Sequence, residues 1–128
     1  MQPRKPAILY VDDDRDYLEA TRAVLESGGY EMLEARTAEE GLALARERRP
    51  DLILVDLMME EIDSGTSFVK ELRAAGSAVP IYMLSSVGDD LALTADAGAL
   101  GLAGILQKPV DRATLLGLLE ARLAQPDE

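Results

Sequence analysis

Four short apolar runs in this sequence each lead into residues that can do chemistry. "AILYV" is followed by Asp12 and Asp13, "DLILV" by Asp56, "PIYML" by Ser85 and Ser86, and "GILQ" by Lys108. Two or three carboxylates within a few ångströms of each other cannot all stay ionised without a counter-ion. A divalent cation relieves that repulsion, and Mg²⁺ typically takes one or two carboxylates, a carbonyl and several waters. With the charge so balanced, one carboxylate can act as a nucleophile toward a phosphoryl group, making an aspartyl phosphate. Such a transfer needs mainly positioning and charge neutralisation, which metal and ammonium supply. A hydroxyl can then hydrogen-bond a phosphoryl oxygen. All of this requires that the four run ends meet.

The pattern of the chain says that they do. The apolar, β-branched runs "AILYV", "EMLEA", "DLILV", "PIYMLS" and "AGILQ" alternate with longer stretches of helical spacing. The first helical stretch carries Tyr17, Leu18, Thr21, Val24 and Leu25 and stops at Gly28 and Gly29. The second opens on Thr37 with Glu40 placed for a capping box, and ends before Pro50. The third spans about Ser64 to Ala75, with Phe68, Val69 and Leu72 inward, and breaks at Gly76. A fourth, weakly patterned, is expected around Asp89 to Ala99. The last starts on Asp111 as N-cap and places Leu115, Leu116, Leu119 and Leu123 on one side. Repeated βα units predict an α/β fold, a parallel sheet with helices on both faces. Right-handed crossovers leave few topologies, and the expected one is a flavodoxin-like (βα)5 sandwich with strand order 2-1-3-4-5. Ligands of such sheets bind outside the carboxyl ends of the strands, where all the candidate residues lie.

The composition narrows the chemistry further. The 128 residues suit one domain, and 13 basic against 24 acidic residues leave a net charge of −11. So acidic a chain is repelled by phosphate backbones and anionic membranes, so direct contact with either is not expected. There is no cysteine and no histidine, which removes disulfides, thiolate metal sites and the commonest general base. A bound metal should therefore be hard and oxygen-liking. No apolar run is long enough to span a bilayer and the start lacks a cleavable leader pattern, so the expected location is cytoplasmic. No linker or repeat interrupts the chain, and only "AQPDE" follows the last helix. The expectation is one domain over 1–128, with its core at about 5–123 and no output domain.

The segments "ILYVDDD", "DLILVDLMM", "PIYMLSS" and "GILQKPV" resemble the receiver domain of two-component response regulators, and the resemblance covers about Lys5 to Leu123. It implies that Asp56 is the phosphoacceptor, that Asp13 binds Mg²⁺ directly and that Asp12 reaches it through water. It implies a backbone carbonyl from Met58 as a further metal ligand, with Mn²⁺ able to substitute. It gives Ser85 the part of a switch hydroxyl and Lys108 that of partner to the acceptor and then to the phosphoryl group. The Lys108–Pro109 bond should be cis. The donor would be the phosphohistidine of a sensor histidine kinase or phosphotransfer protein. The signal would pass to an unidentified protein target through the surface of the fourth helix, fifth strand and fifth helix. The chain would be a switch rather than an enzyme, acting only in its own phosphorylation and slow dephosphorylation.

Several positions depart from the family pattern. Glu60 stands where proline is common and Ser64 where glycine is common, with Gly65 one place late. Ile105 replaces the usual switch aromatic, and Asp14 has no family role beyond capping the first helix. Met58 and Val87 are poor at orienting an attacking water, so a long-lived phosphoryl group is expected. Singly, each candidate has a duller reading: Asp12, Asp13 and Asp56 as turn or cap acids, Lys108 as a solvated surface residue. Two other functions fit parts of the pattern. One is a receiver-like interaction module that is never phosphorylated. The other is a Mg²⁺-dependent aspartyl phosphatase of the haloacid dehalogenase type, which wants an acid where Met58 stands.

Overall fold

The computed structural model describes residues 5–57, 64–86 and 102–123, without the side chains of 64–66. Strands β1 (Ala7–Val11), β2 (Glu31–Ala35), β3 (Leu52–Asp56), β4 (Ile81–Ser85) and β5 (Gly104–Gln107) form one parallel sheet of order β2-β1-β3-β4-β5. Helices α1 (Arg15–Ser27), α2 (Ala38–Arg48), α3 (Ser64–Ala74) and α4 (Arg112–Leu123) connect and cover it. Topology, order and class are those expected. The helix sought around Asp89 to Ala99, Met58, Glu60 and Val87 lie outside the described residues.

Alternation along the central strands sorts their side chains into two cores. Leu9, Val11, Ile53, Val55, Ile81 and Met83 face Phe68, Val69 and Leu72 of α3 and Leu42 of α2. Ile8, Tyr10, Leu52, Leu54, Tyr82 and Leu84 face Leu18 and Leu25 of α1 and Leu115 and Leu119 of α4. Because both faces are covered, every residue of β1 and β3 is buried, which is why these runs read as continuously apolar. The edge strand β5 alternates instead, and Ile105 on it is 37% exposed. Gly41 lets α2 approach β1 closely, since a Cβ there would lie 2.8 Å from Val11 and 2.9 Å from Phe68. Among the described residues no helix is long and apolar enough to cross a membrane.

The caps follow the sequence signals, with one difference. Asp14 accepts from the N–H groups of Asp16 and Tyr17 at 2.9 and 3.3 Å and so starts α1. Asp111 does the same for α4 through the N–H of Thr114. Thr37 accepts from Glu40 N–H at 3.0 Å, but Glu40 Oε1 reaches back to Arg36 N–H rather than to Thr37. The capping box thus closes one residue upstream of the usual pattern, fastening the β2–α2 turn.

Candidate functional site

The carboxyl ends of β1, β3 and β5 deliver the site. Asp12 directly follows β1, its N–H tied to Ala35 O at the end of β2 at 3.0 Å. Asp56 ends β3, beside Leu84 of β4. Lys108 follows β5, its N–H tied to Ser85 O at 2.8 Å. Parallel pairing therefore places these residues side by side although 96 positions separate the first and last in the chain. Carboxylate oxygens of Asp12, Asp13 and Asp56 lie within 4.8 Å of one another. Asp12 is 0% and Asp56 5% exposed, whereas Asp13 faces solvent.

Lys108 Nζ lies 2.7 Å from Asp12 Oδ2 and 3.3 Å from Asp56 Oδ1, and is itself buried. The counter-charge is thus shared unequally. Burial, and next the charge of Asp12, push the Asp56 carboxyl up to about 7, with Lys108 opposing the rise. Burial disfavours the Lys108 ammonium, but its hydrogen bonds and charge pairing with Asp12 and Asp56 outweigh this and raise its pKa. One ammonium cannot balance three carboxylates. The donor set, all hard oxygen and within 4.8 Å of one another, fits a small divalent cation.

Two aromatic side chains complete the constellation. Tyr10 Oη donates to Asp12 Oδ2 at 2.6 Å, and burial, with the adjacent Asp12 charge, raises its pKa so that it remains a donor. The Tyr17 ring sits under the Lys108 ammonium, 4.0 Å from Nζ to the ring centre. Asp12 Oδ1 accepts from Asp14 N–H at 2.9 Å, so Asp12 is fastened at both oxygens. Neither tyrosine was legible as a site residue. Tyr10 reads as core within an apolar run, although its spacing of two from Asp12 puts both side chains on one face of β1. Tyr17 carried no signal beyond the first helical turn.

The structure therefore brings together Asp12, Asp13, Asp56 and Lys108. Ser85 stands half-buried at the end of β4, next to the strand that carries Asp56. Met58, expected to offer a carbonyl, lies outside the described residues. The Lys108–Pro109 bond is cis, as the resemblance implied.

The sequence profile of the response regulator receiver domain matches residues 8–120. The chain belongs to that family. As a receiver domain of a two-component system it is 38% identical over 120 residues to the transcriptional regulatory protein PrrA of Mycobacterium tuberculosis, covering 92% of this chain and 50% of PrrA. It is 37% identical over 126 residues to the response regulator MprA of a Mycobacterium species, covering 94% of this chain and 53% of MprA. The chain thus spans about half the length of these curated relatives. Among solved structures, a CheY-like receiver domain protein from Methanospirillum hungatei superposes with a TM-score of 0.85 at 28% identity, covering 94% of this chain and 95% of that one. The chemotaxis protein CheY4 of Vibrio cholerae gives 0.82 at 31% identity, covering 94% of this receiver and all of that chain.

Proposed function

We propose that this receiver takes a phosphoryl group from a phosphohistidine onto Asp56 in the presence of Mg²⁺, and so changes its affinity for a protein partner. The observation that carries this reading is the placement of Lys108 Nζ between Asp12 and Asp56, with three carboxylates converging at one mouth. The donor histidine lies outside these 128 residues, which contain none.

In the transfer, an Asp56 carboxylate oxygen attacks phosphorus, the phosphorus–nitrogen bond breaks, and the imidazole leaves with its electron pair and takes up a proton. Asp13 would hold Mg²⁺ directly, Asp12 through water, with Asp56 and the Met58 carbonyl completing the protein ligands. Bound there, Mg²⁺ (or Mn²⁺) would neutralise the carboxylates and draw charge from the phosphoryl oxygens. Lys108 moves from the carboxylate of Asp56 to its new phosphoryl group, held over Tyr17 while Tyr10 keeps Asp12 in place. Ser85 offers its hydroxyl to a phosphoryl oxygen. Beyond this chemistry on its own side chain the receiver is not an enzyme, and its phosphoryl group turns over slowly.

A net charge of −11 argues against direct contact of this surface with nucleic acid or anionic lipid. The transcriptional role named for PrrA is a statement about that longer protein. A cytoplasmic site of action suits a partner kinase that uses intracellular phosphoryl donors. Incubation with acetyl phosphate and Mg²⁺, read by intact mass, tests the reading. One added phosphoryl group on the wild type and none on Asp56→Asn is the expected result. No addition, or equal addition to both, would leave an interaction module that is not phosphorylated on this residue.

A further inference from the structure

The end of the sheet opposite Asp56 carries a second feature, and its chemistry is the reverse of the first. Between the C-terminal turns of α2 and α3 lies an open groove of about 460 Å³, within the roughly 300–1,000 Å³ typical of ligand sites. Pro50, Ile53, Leu72 and Val79 give it an apolar floor, and Arg46 and Arg49 stand on one wall. Among the described residues no acidic side chain lines it. Neither guanidinium makes an ion pair or side-chain hydrogen bond with any described residue. In a chain of net charge −11, two neighbouring exposed arginines beside an apolar floor, with no partner among the described residues, make a local patch of positive charge.

The backbone adds an independent observation. Arg49 has φ 47°, the only positive φ of a non-glycine residue among those described. Where α1 and α3 end, the same left-handed requirement is met by Gly29 (φ 90°) and Gly76 (φ 92°). A side chain in this conformation is strained, more so before a proline such as Pro50, which disfavours compact geometry in the preceding residue. Glycine would relieve that strain, yet the position holds a long cation that lines the groove. Strain kept at such a place points to a use for the side chain.

We propose that this groove binds an acidic peptide segment of a partner protein. An aliphatic side chain of the segment lies on Ile53, Leu72 and Val79, and flanking carboxylates pair with Arg46 and Arg49. Guanidinium matches carboxylate in a planar, two-point contact that a lysine would not reproduce. The loop beyond α3 is already fastened, because Arg73 Nη1 donates to Ser77 O and Val79 O at 3.0 Å each. The far wall is thus formed before any partner arrives. The groove is open rather than enclosed, which suits an extended segment better than a small metabolite.

The site is independent of phosphorylation chemistry, since Ile53 and Asp56 lie about 10 Å apart along β3. Panning a random short-peptide library against the whole chain tests it directly. Enriched sequences should carry carboxylates flanking Leu, Ile or Val, and the best of them, synthesised and labelled, should bind as read by fluorescence anisotropy. The double variant Arg46→Glu/Arg49→Glu should weaken that binding more than about tenfold, while still accepting phosphate from acetyl phosphate. Arg49→Gly should keep or raise the melting temperature yet also weaken the peptide, which a merely structural arginine would not do. No enrichment, enrichment of sequences without acids, or binding indifferent to charge reversal would overturn the proposal. So would displacement of the peptide by octanoate at equal affinity, which would mark a small-carboxylate site instead.

Discussion

Lys108 with Asp12 and Arg48 with Glu31 are ion pairs of nearly the same length, 2.7 and 2.9 Å, at opposite ends of the same sheet. The first pair is 5% and 0% exposed, the second 46% and 44%. At the amino end, water stabilises each charge almost as well as its partner does, and the pair is close to neutral for stability. At the carboxyl end water is excluded, and each charge depends on its neighbours for solvation. A second buried carboxylate, Asp56, is added there without a second cation, and burial, and next the charge of Asp12, hold its proton up to about pH 7. The difference lies in burial, and it marks the end of the sheet where stability has been exchanged for chemistry.

The comparison is easiest to break at Lys108. Lys108→Met should cost about 3–5 kcal/mol in urea-induced unfolding near neutral pH, because it strands Asp12 and Asp56 in a buried site. The loss should shrink in acid, where Asp56 takes up a proton. A cost under about 1 kcal/mol at neutral pH would show that the buried pair behaves like the exposed one.

Next in size is the dependence of the metal-free protein on pH. The folded-state pKa of Asp56 is raised above its unfolded value of 3.8, so the folded protein holds its proton more tightly than the unfolded chain. That stabilisation is fully present below about pH 4 and is lost as pH rises through about 7. Denaturation in EDTA should therefore show stability falling by a few kcal/mol across this window. Asp56→Asn should flatten the fall, and saturating Mg²⁺ should reverse much of it at about pH 8 by raising the melting temperature. A curve that rises across the window would contradict the assigned sign.

Smaller effects sharpen the contrast. Tyr17→Leu removes the ring under Lys108 and should cost about 0.5–2 kcal/mol, as expected for a largely desolvated cation–π contact. It should also slow labelling by acetyl phosphate, whereas Tyr17→Phe should change little. Arg48→Ala, at the other end, should cost no more than about 1 kcal/mol and leave labelling unaltered. A larger loss from Arg48→Ala than from Tyr17→Leu would reverse the ranking of the two ends.

Much of the fold could be read from the sequence because its signals are local and repeated. Buried strands of β1 and β3 left continuous apolar runs, and Gly28, Gly76, Thr37 and Asp111 marked helix boundaries through backbone and capping chemistry. Asp12, Asp56 and Lys108 were legible because a parallel sheet gathers its strand ends, so a residue type at a run's end has a known place. Tyr10 and Tyr17 were not, since each acts through a contact made only once β1, α1 and β5 have assembled. Arg49 was silent for another reason. A left-handed residue announces itself when it is glycine, and an arginine there looks like any surface cation. The upstream shift of the Glu40 hydrogen bond to Arg36 likewise depends on how β2 enters α2.

The central claim is that Asp56, among several crowded acids, is the residue that accepts the phosphoryl group. Treating the acetyl-phosphate-labelled protein with borohydride reduces an acyl phosphate to an alcohol, which peptide sequencing by mass spectrometry can locate. The account predicts homoserine at position 56 and unmodified aspartate at positions 12 and 13. Homoserine at Asp12 or Asp13, or none anywhere in a protein that had gained phosphate, would contradict it.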